Sequence, residues 1–207
     1  RVGGIKARLD APALAGPYKV EGTARAGGDT FSIKAATGAA DGSGAFALKA
    51  NVRSAAHPVA ASFDGQLKFA NHRPTWAGKA TLDRVIAKED KATLPWSLTA
   101  DLDVSNRAVL AKALEFRYGA EERPFTISGA ATLDLAAVPS FEAVLSARQI
   151  DLDRTLGAGP DKPVSLDGAL AAFGAAIAGL PVPSVPGRIG FDIPGVVVGG
   201  SIISDLR

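Results

Sequence analysis

The chain has 207 residues, with 23 basic side chains against 21 acidic ones and a net charge of +2; so small a surplus points to no phosphate-backbone partner, and nucleic acid is not an expected ligand. Cysteine is absent, which removes disulfides, zinc–thiolate sites and a cysteine nucleophile, and the only histidines are His57 and His72. Methionine is absent too and the chain opens on Arg1, so it is read as an internal or C-terminal-region segment of a longer protein.

Period-two alternation begins at once. Ile5, Ala7 and Leu9 alternate with Lys6, Arg8 and Asp10, and Tyr18, Val20, Gly22 and Ala24 alternate with Lys19, Glu21, Thr23 and Arg25. After Gly27-Gly28 come Phe31, Ile33 and Ala35, then, past Asp41-Gly42-Ser43-Gly44, Phe46, Leu48, Ala50 and Val52. From Val59 to Phe69 one parity stays apolar through Phe63, Gly65, Leu67 and Phe69; Asp64-Gly65 could be a hairpin turn, but the unbroken parity predicts one long strand with a glycine bend.

The second half repeats the grammar. Trp76, Gly78, Ala80 and Leu82 share a face, as do Trp96, Leu98, Ala100, Leu102 and Val104. Leu114, Phe116 and Tyr118 lead into a polar hairpin loop ending at Pro124, followed by Phe125, Ile127, Gly129, Ala131, Leu133 and Leu135, then Phe141, Ala143 and Leu145. Short turn-rich links between such runs join antiparallel neighbours, because a parallel crossover needs a dozen residues or more. The predicted fold is mainly β: a long antiparallel meander of about ten strands with one apolar and one polar face.

One segment departs from this pattern. Leu166, Leu170, Phe173, Ile177 and Leu180 form a helical stripe, with Ser165 as N-cap and Gly179-Pro181 as stop. Residues 1–160 therefore read as the β repeat region, 161–186 as one short amphipathic helix with a Pro-rich connector, and 187–207 as the start of the next β run. No run approaches the ~18 apolar residues of a membrane span.

No phosphate loop, dinucleotide fingerprint or nucleophile elbow occurs. Asp101/Asp103 and Asp151/Asp153 are D-x-D pairs that could hold a divalent metal, but both sit on polar strand parities and read as solvated faces. Asp41-Gly42-Ser43-Gly44 reads as a turn, and His57 and His72 as loop residues. No catalytic residue, cofactor or metal site is expected, and the chain is not read as an enzyme. Phe31, Phe46, Phe63, Phe69, Trp76, Trp96, Phe116, Phe125 and Phe141 all fall on the apolar parity of their runs, which fits either a closed sandwich core or an open apolar trough.

Four phrases stand out: Ala7-Arg8-Leu9-Asp10-Ala11-Pro12-Ala13-Leu14-Ala15-Gly16-Pro17-Tyr18-Lys19-Val20-Glu21-Gly22, Phe116-Arg117-Tyr118-Gly119 with the run from Phe125 to Leu135, the run from Leu145 to Asp153, and Pro186-Gly187-Arg188-Ile189-Gly190-Phe191-Asp192-Ile193. Together they resemble the AsmA family of bacterial envelope proteins. The resemblance implies a sheet curled into a trough, a β-taco, carried by a periplasmic protein whose parent is anchored in the inner membrane and supports outer-membrane assembly. Phospholipid acyl chains would be the partner. On that reading the groove is lined by Phe31, Ile33, Phe46, Leu48, Phe63, Leu67, Phe69, Trp76, Leu82, Trp96, Leu98, Leu102, Phe116, Tyr118, Phe125, Ile127, Leu133, Phe141 and Leu145. Small residues such as Gly22, Gly65, Gly78, Gly129, Ala80 and Ala100 are expected to leave room for a chain. Exposed sheet edges are expected to pair with other segments of the parent or with another copy. A structural scaffold with a closed core and no transported ligand is the alternative.

Overall fold

The computed structural model describes residues 2–13, 15–71, 73–90, 93–119, 125–147, 149–151, 153, 165, 167–168, 171 and 185–206. Ten strands form an antiparallel meander in chain order: β1 (Val2–Asp10), β2 (Lys19–Ala26), β3 (Asp29–Thr37), β4 (Phe46–Ser54), β5 (Val59–Ala70), β6 (Arg73–Arg84), β7 (Trp96–Val104), β8 (Ala108–Tyr118), β9 (Phe125–Asp134) and β10 (Ser140–Ser146). Three more follow: β11 (Ile150–Asp151), β12 (Gly187–Val198) and β13 (Ser201–Leu206). The sheet is open, with β1 at one end and the β11–β13 group at the other. The predicted β meander is thus the fold, and β5 runs unbroken through Asp64-Gly65 as the parity requires.

The far end differs from a simple meander. β12 joins β10 in parallel, in a register from Phe141↔Gly187 to Ser146↔Asp192, and β11 continues along β12 at the same offset, Ile150↔Val196. β10 and β11 thus follow β12 at one common offset, and between their two ladders β12 carries Pro194, which has no N–H to donate. Parallel pairing is possible here because the connection from β11 to β12 is far longer than any other link in the sheet. The five residues of the predicted helical stripe lie outside the described residues; Gly168 N–H donates to Ser165 Oγ at 3.1 Å, the bond an N-cap makes.

Two hairpins use two-residue glycine turns. Gly27 and Gly28 (φ 59° and 88°) join β2 to β3, and Gly199 and Gly200 (61° and 71°) join β12 to β13. Two successive residues at positive φ match the twist of the flanking strands, and glycine takes that conformation without steric cost. The second turn is held by Asp153, whose carboxylate accepts the Gly199 and Gly200 N–H groups at 2.9 and 2.8 Å.

Next to the first turn, Asp29 is buried and accepts hydrogen bonds from Thr30 N–H (2.6 Å), Ala56 N–H (3.1 Å) and the Ser54 hydroxyl. It ties the start of β3 to the β4–β5 link. The Ser54 hydroxyl, then the two backbone donors, hold its carboxyl below the ordinary carboxylate range. A depressed folded-state pKa contributes stability that is present above the unfolded value and lost as pH falls through the folded one. Asp29→Ala should therefore lower the melting temperature by a few degrees at pH 7. The gap to wild type should shrink in melts taken below the carboxylate range, and a gap that stays constant with pH would contradict this role.

β8 carries a bulge. Ala113 has φ 46°, and two β8 residues oppose one on each neighbour, Ala100 between Thr99 and Asp101 on β7 and Ala130 between Gly129 and Ala131 on β9. The extra residue switches the apolar parity from Val109 and Ala111 to Leu114, Phe116 and Tyr118. A left-handed conformation costs an alanine about 1–2 kcal/mol. Ala113→Gly should accordingly hold or slightly raise the melting temperature, while Ala113→Val should lower it; thermal melts of the two variants decide this.

Candidate apolar groove

Strand register turns the alternation into continuous rows across one face. One row runs Gly22, Ile33, Val52, Ala61, Leu82, Leu98, Phe116 and Ile127. The next runs Val20, Ala35, Ala50, Phe63, Ala80 and Ala100, and continues past the bulge through Leu114, Gly129 and Leu145. Below it lie Leu48, Gly65, Gly78, Leu102, Ala111, Ala131 and Ala143, then Phe46, Leu67, Trp76, Val104, Val109, Leu133 and Phe141, with Phe69 beside Pro74 at the rim. At the opposite rim one row holds Ala24, Phe31, Ser54, Val59 and Arg84, and Trp96, Tyr118 and Phe125 extend it. All nineteen residues expected to line a groove thus fall on one face.

Nothing covers this face among the described residues. Substantial contacts between strands are all between ladder neighbours, so there is no second sheet packed on the first. Among the described residues no large side chain is fully buried, and the buried apolar ones are Ala24, Ala45, Ala100, Ala147 and Val198. The expected lining residues are half-buried, except Phe69, which is 58% exposed. The chain exposes 14574 Å² of accessible surface, against about 9,000 Å² for a compact monomer of this size.

The face is concave. A Cβ built on Gly65 would lie 2.3 Å from Ala77 O and 2.6 Å from Gly78 Cα, and one on Gly78 would lie 2.3 Å from Asp64 O. Gly22 meets Lys6 O at 2.3 Å, and Gly129 meets Val144 O at 2.2 Å. At each of these positions the neighbouring backbone bends over the apolar side, into the space a side chain would need. The glycines are creases that curl the sheet toward its apolar face. This revises their expected role of leaving room for a ligand: their vacated space is filled by adjacent main chain. Alanines mark the same curvature, since Ala35, Ala50, Ala80 and Ala131 are half-buried on the apolar face while Ala36, Ala47, Ala77 and Ala130 on the other are exposed.

Aromatic pairs line the concave side. Phe63 meets Trp76 edge-on at 6.0 Å, Phe46 meets Phe69 at 6.4 Å and Tyr18 at 5.9 Å, and Trp96 meets Phe116 at 6.3 Å. Trp76 Nε1 is buried with no hydrogen-bond partner among the described residues. The convex face is charged. Lys49, Asp64, Lys79, Asp101 and Lys112 alternate in sign across five strands, with Lys49–Asp64 at 3.0 Å and Lys112–Asp103 at 2.6 Å. Such exposed pairs contribute ~0–1 kcal/mol each; their main effect is to keep this face wet.

One aspartate of each D-x-D pair takes a structural partner on this framework. Asp103 pairs with Lys112 and raises its pKa, first through the hydrogen bond between them, and Asp153 holds the Gly199–Gly200 turn. Asp41 Oδ1 accepts from Ser43 N–H, Ser43 Oγ and Ala45 N–H within 3.0 Å, which closes a turn. No group of three or more His, Cys, Asp or Glu residues among the described ones could hold a metal ion. His57 is an exposed loop residue; His72 lies outside the described residues.

Two charged residues on the apolar parity escaped the sequence reading: across β2 to β10 only Asp29 and Arg84 sit there. Counting by twos from Trp76 would have found Arg84. No protein-family model, curated protein sequence or solved structure matches the chain.

Proposed function

We propose that the chain is a segment of an AsmA-like envelope protein whose apolar trough binds phospholipid acyl chains and conducts them between the inner and outer membranes. The observation that carries this reading is the uncovered concave face. Ten strands spaced ~4.8 Å apart, each contributing about eight residues at ~3.4 Å, span a face on the order of 1,200 Å². The largest apolar patch on an ordinary monomer is ~300–600 Å². Acyl chains satisfy such a face without polar catalysts, since each buried methylene contributes ~0.8 kcal/mol. Curvature supports the same reading: the creases shield the apolar side chains from bulk water without closing the sheet, which leaves a path along the trough. A scaffold with a closed core requires a second layer over Phe63, Leu98 and Phe116, and none is found among the described residues.

The test is intact-complex mass measurement of the 207-residue chain purified from cells. Added masses matching phospholipid, removed by collisional activation or detergent, are expected. A bare polypeptide mass under conditions that preserve known lipid complexes would contradict the proposal.

A further inference from the structure

We infer that Arg84, with Trp96 and Tyr118, forms a head-group subsite that binds the phosphate of a phospholipid at one rim of the trough, an inference that rests on the groove reading above. The two rims differ in chemistry. Phe69 and Pro74 close one side, next to the row of Phe46, Leu67 and Trp76, where Tyr18 packs on Phe46 and no charged side chain lies on the apolar parity. On the other side, Arg84 stands between Val59 and the first residue of β7, Trp96, which pairs with Tyr118. Arg84 is half-buried, and its Nη1 donates to Leu94 O at 3.1 Å. Its other N–H groups make no hydrogen bond to described residues. Trp96 Nε1 and Tyr118 Oη likewise have no described partner, and neither is a buried orphan, so both meet solvent.

Three donor side chains thus sit side by side at one end of an apolar surface, each with an apolar body and a polar tip. That is the pattern of side chains at a membrane–water interface. A guanidinium fork matches two phosphate oxygens, and the indole and phenol can reach ester or glycerol oxygens. The only other indole on the groove, Trp76, has its N–H buried away from any head group. From the Arg84 row to the Trp76 row is eight residues, or about 27 Å. One acyl chain spans about half of a ~30 Å hydrocarbon core, so a tail anchored at Arg84 lies along the strands wholly within the face. Lipids would then stand in file, heads along the Arg84 rim and tails toward Phe46.

The experiment compares the wild-type chain with Arg84→Gln and Arg84→Lys, using phosphatidylglycerol and a diacylglycerol with the same acyl chains. Binding is read as lipid-bound fraction by intact mass, and folding is verified by circular dichroism. Wild type should prefer phosphatidylglycerol, Arg84→Gln should lose about tenfold in phosphatidylglycerol binding with diacylglycerol unchanged, and Arg84→Lys should recover part of the loss. Equal phosphatidylglycerol binding by wild type and Arg84→Gln would overturn the subsite while leaving the groove intact. Competition by inorganic phosphate at lipid-like concentrations would also overturn it, by showing a free-anion site. Failure of wild type to bind either lipid would overturn the groove and the subsite together.

Discussion

Leu98→Asp should abolish lipid binding while leaving a folded protein. Leu98 sits one row inside the Arg84 rim of the trough, between Leu82 and Phe116, and is only half-buried. In a closed core a carboxylate there would be stranded without a partner and cost several kcal/mol. On an uncovered face the carboxylate can rotate toward water, so the main loss is the leucine's own packing, about 1–2 kcal/mol. The melting temperature should fall by only a few degrees, while acyl-chain occupancy should drop at least about tenfold because a charge now interrupts the path. Thermal unfolding and lipid-bound fraction are measured on the same preparation. Collapse of the melting transition, with loss of soluble protein, would show that Leu98 fills a closed core.

The opposite outcome is expected for Gly78→Val. Gly78 and Gly65 face each other across β5 and β6, and a Cβ on either would overlap the partner's main chain at 2.3–2.6 Å. No side-chain rotamer relieves a clash with backbone. The two strands must separate, breaking ladder hydrogen bonds and flattening the crease, and a destabilisation above ~3 kcal/mol is expected. Gly78→Val should therefore be largely insoluble or melt far below wild type. Ala80→Val, one step along the same face, should be tolerated. Chemical denaturation of the pair checks this: similar midpoints for both would remove the case that glycine creases build the trough.

Much of this architecture was legible in the sequence because parity survives folding. The Val59–Phe69 alternation identified β5, and the apolar parities of nine successive runs now form common rows. Local pattern failed where the information is not local. The bulge at Ala113 is written in backbone conformation, and alanine gives no signal for a positive φ; it concealed Val109 as a member of the apolar face. The parallel pairing of β12 with β10 depends on which distant strand offers a free edge, and no turn residue encodes that. The inward glycines were visible as small residues, yet whether such a gap admits a ligand or a neighbouring strand depends on curvature, which period-two counting does not contain. Arg84 was countable, but a charge at a strand end is easily assigned to the adjoining loop.

The central claim is that the concave face meets acyl chains and the charged face does not. Photo-crosslinking in cells with a phospholipid bearing a diazirine in its acyl chain, followed by peptide mapping, tests it most directly. Label is predicted on apolar-parity residues such as Val52, Leu82, Leu98 and Phe116, with Lys49, Thr81 and Asp101 on the convex side unlabelled. Label spread equally over both faces, or no label on the chain in cells where a control lipid-binding protein is labelled, would contradict the account.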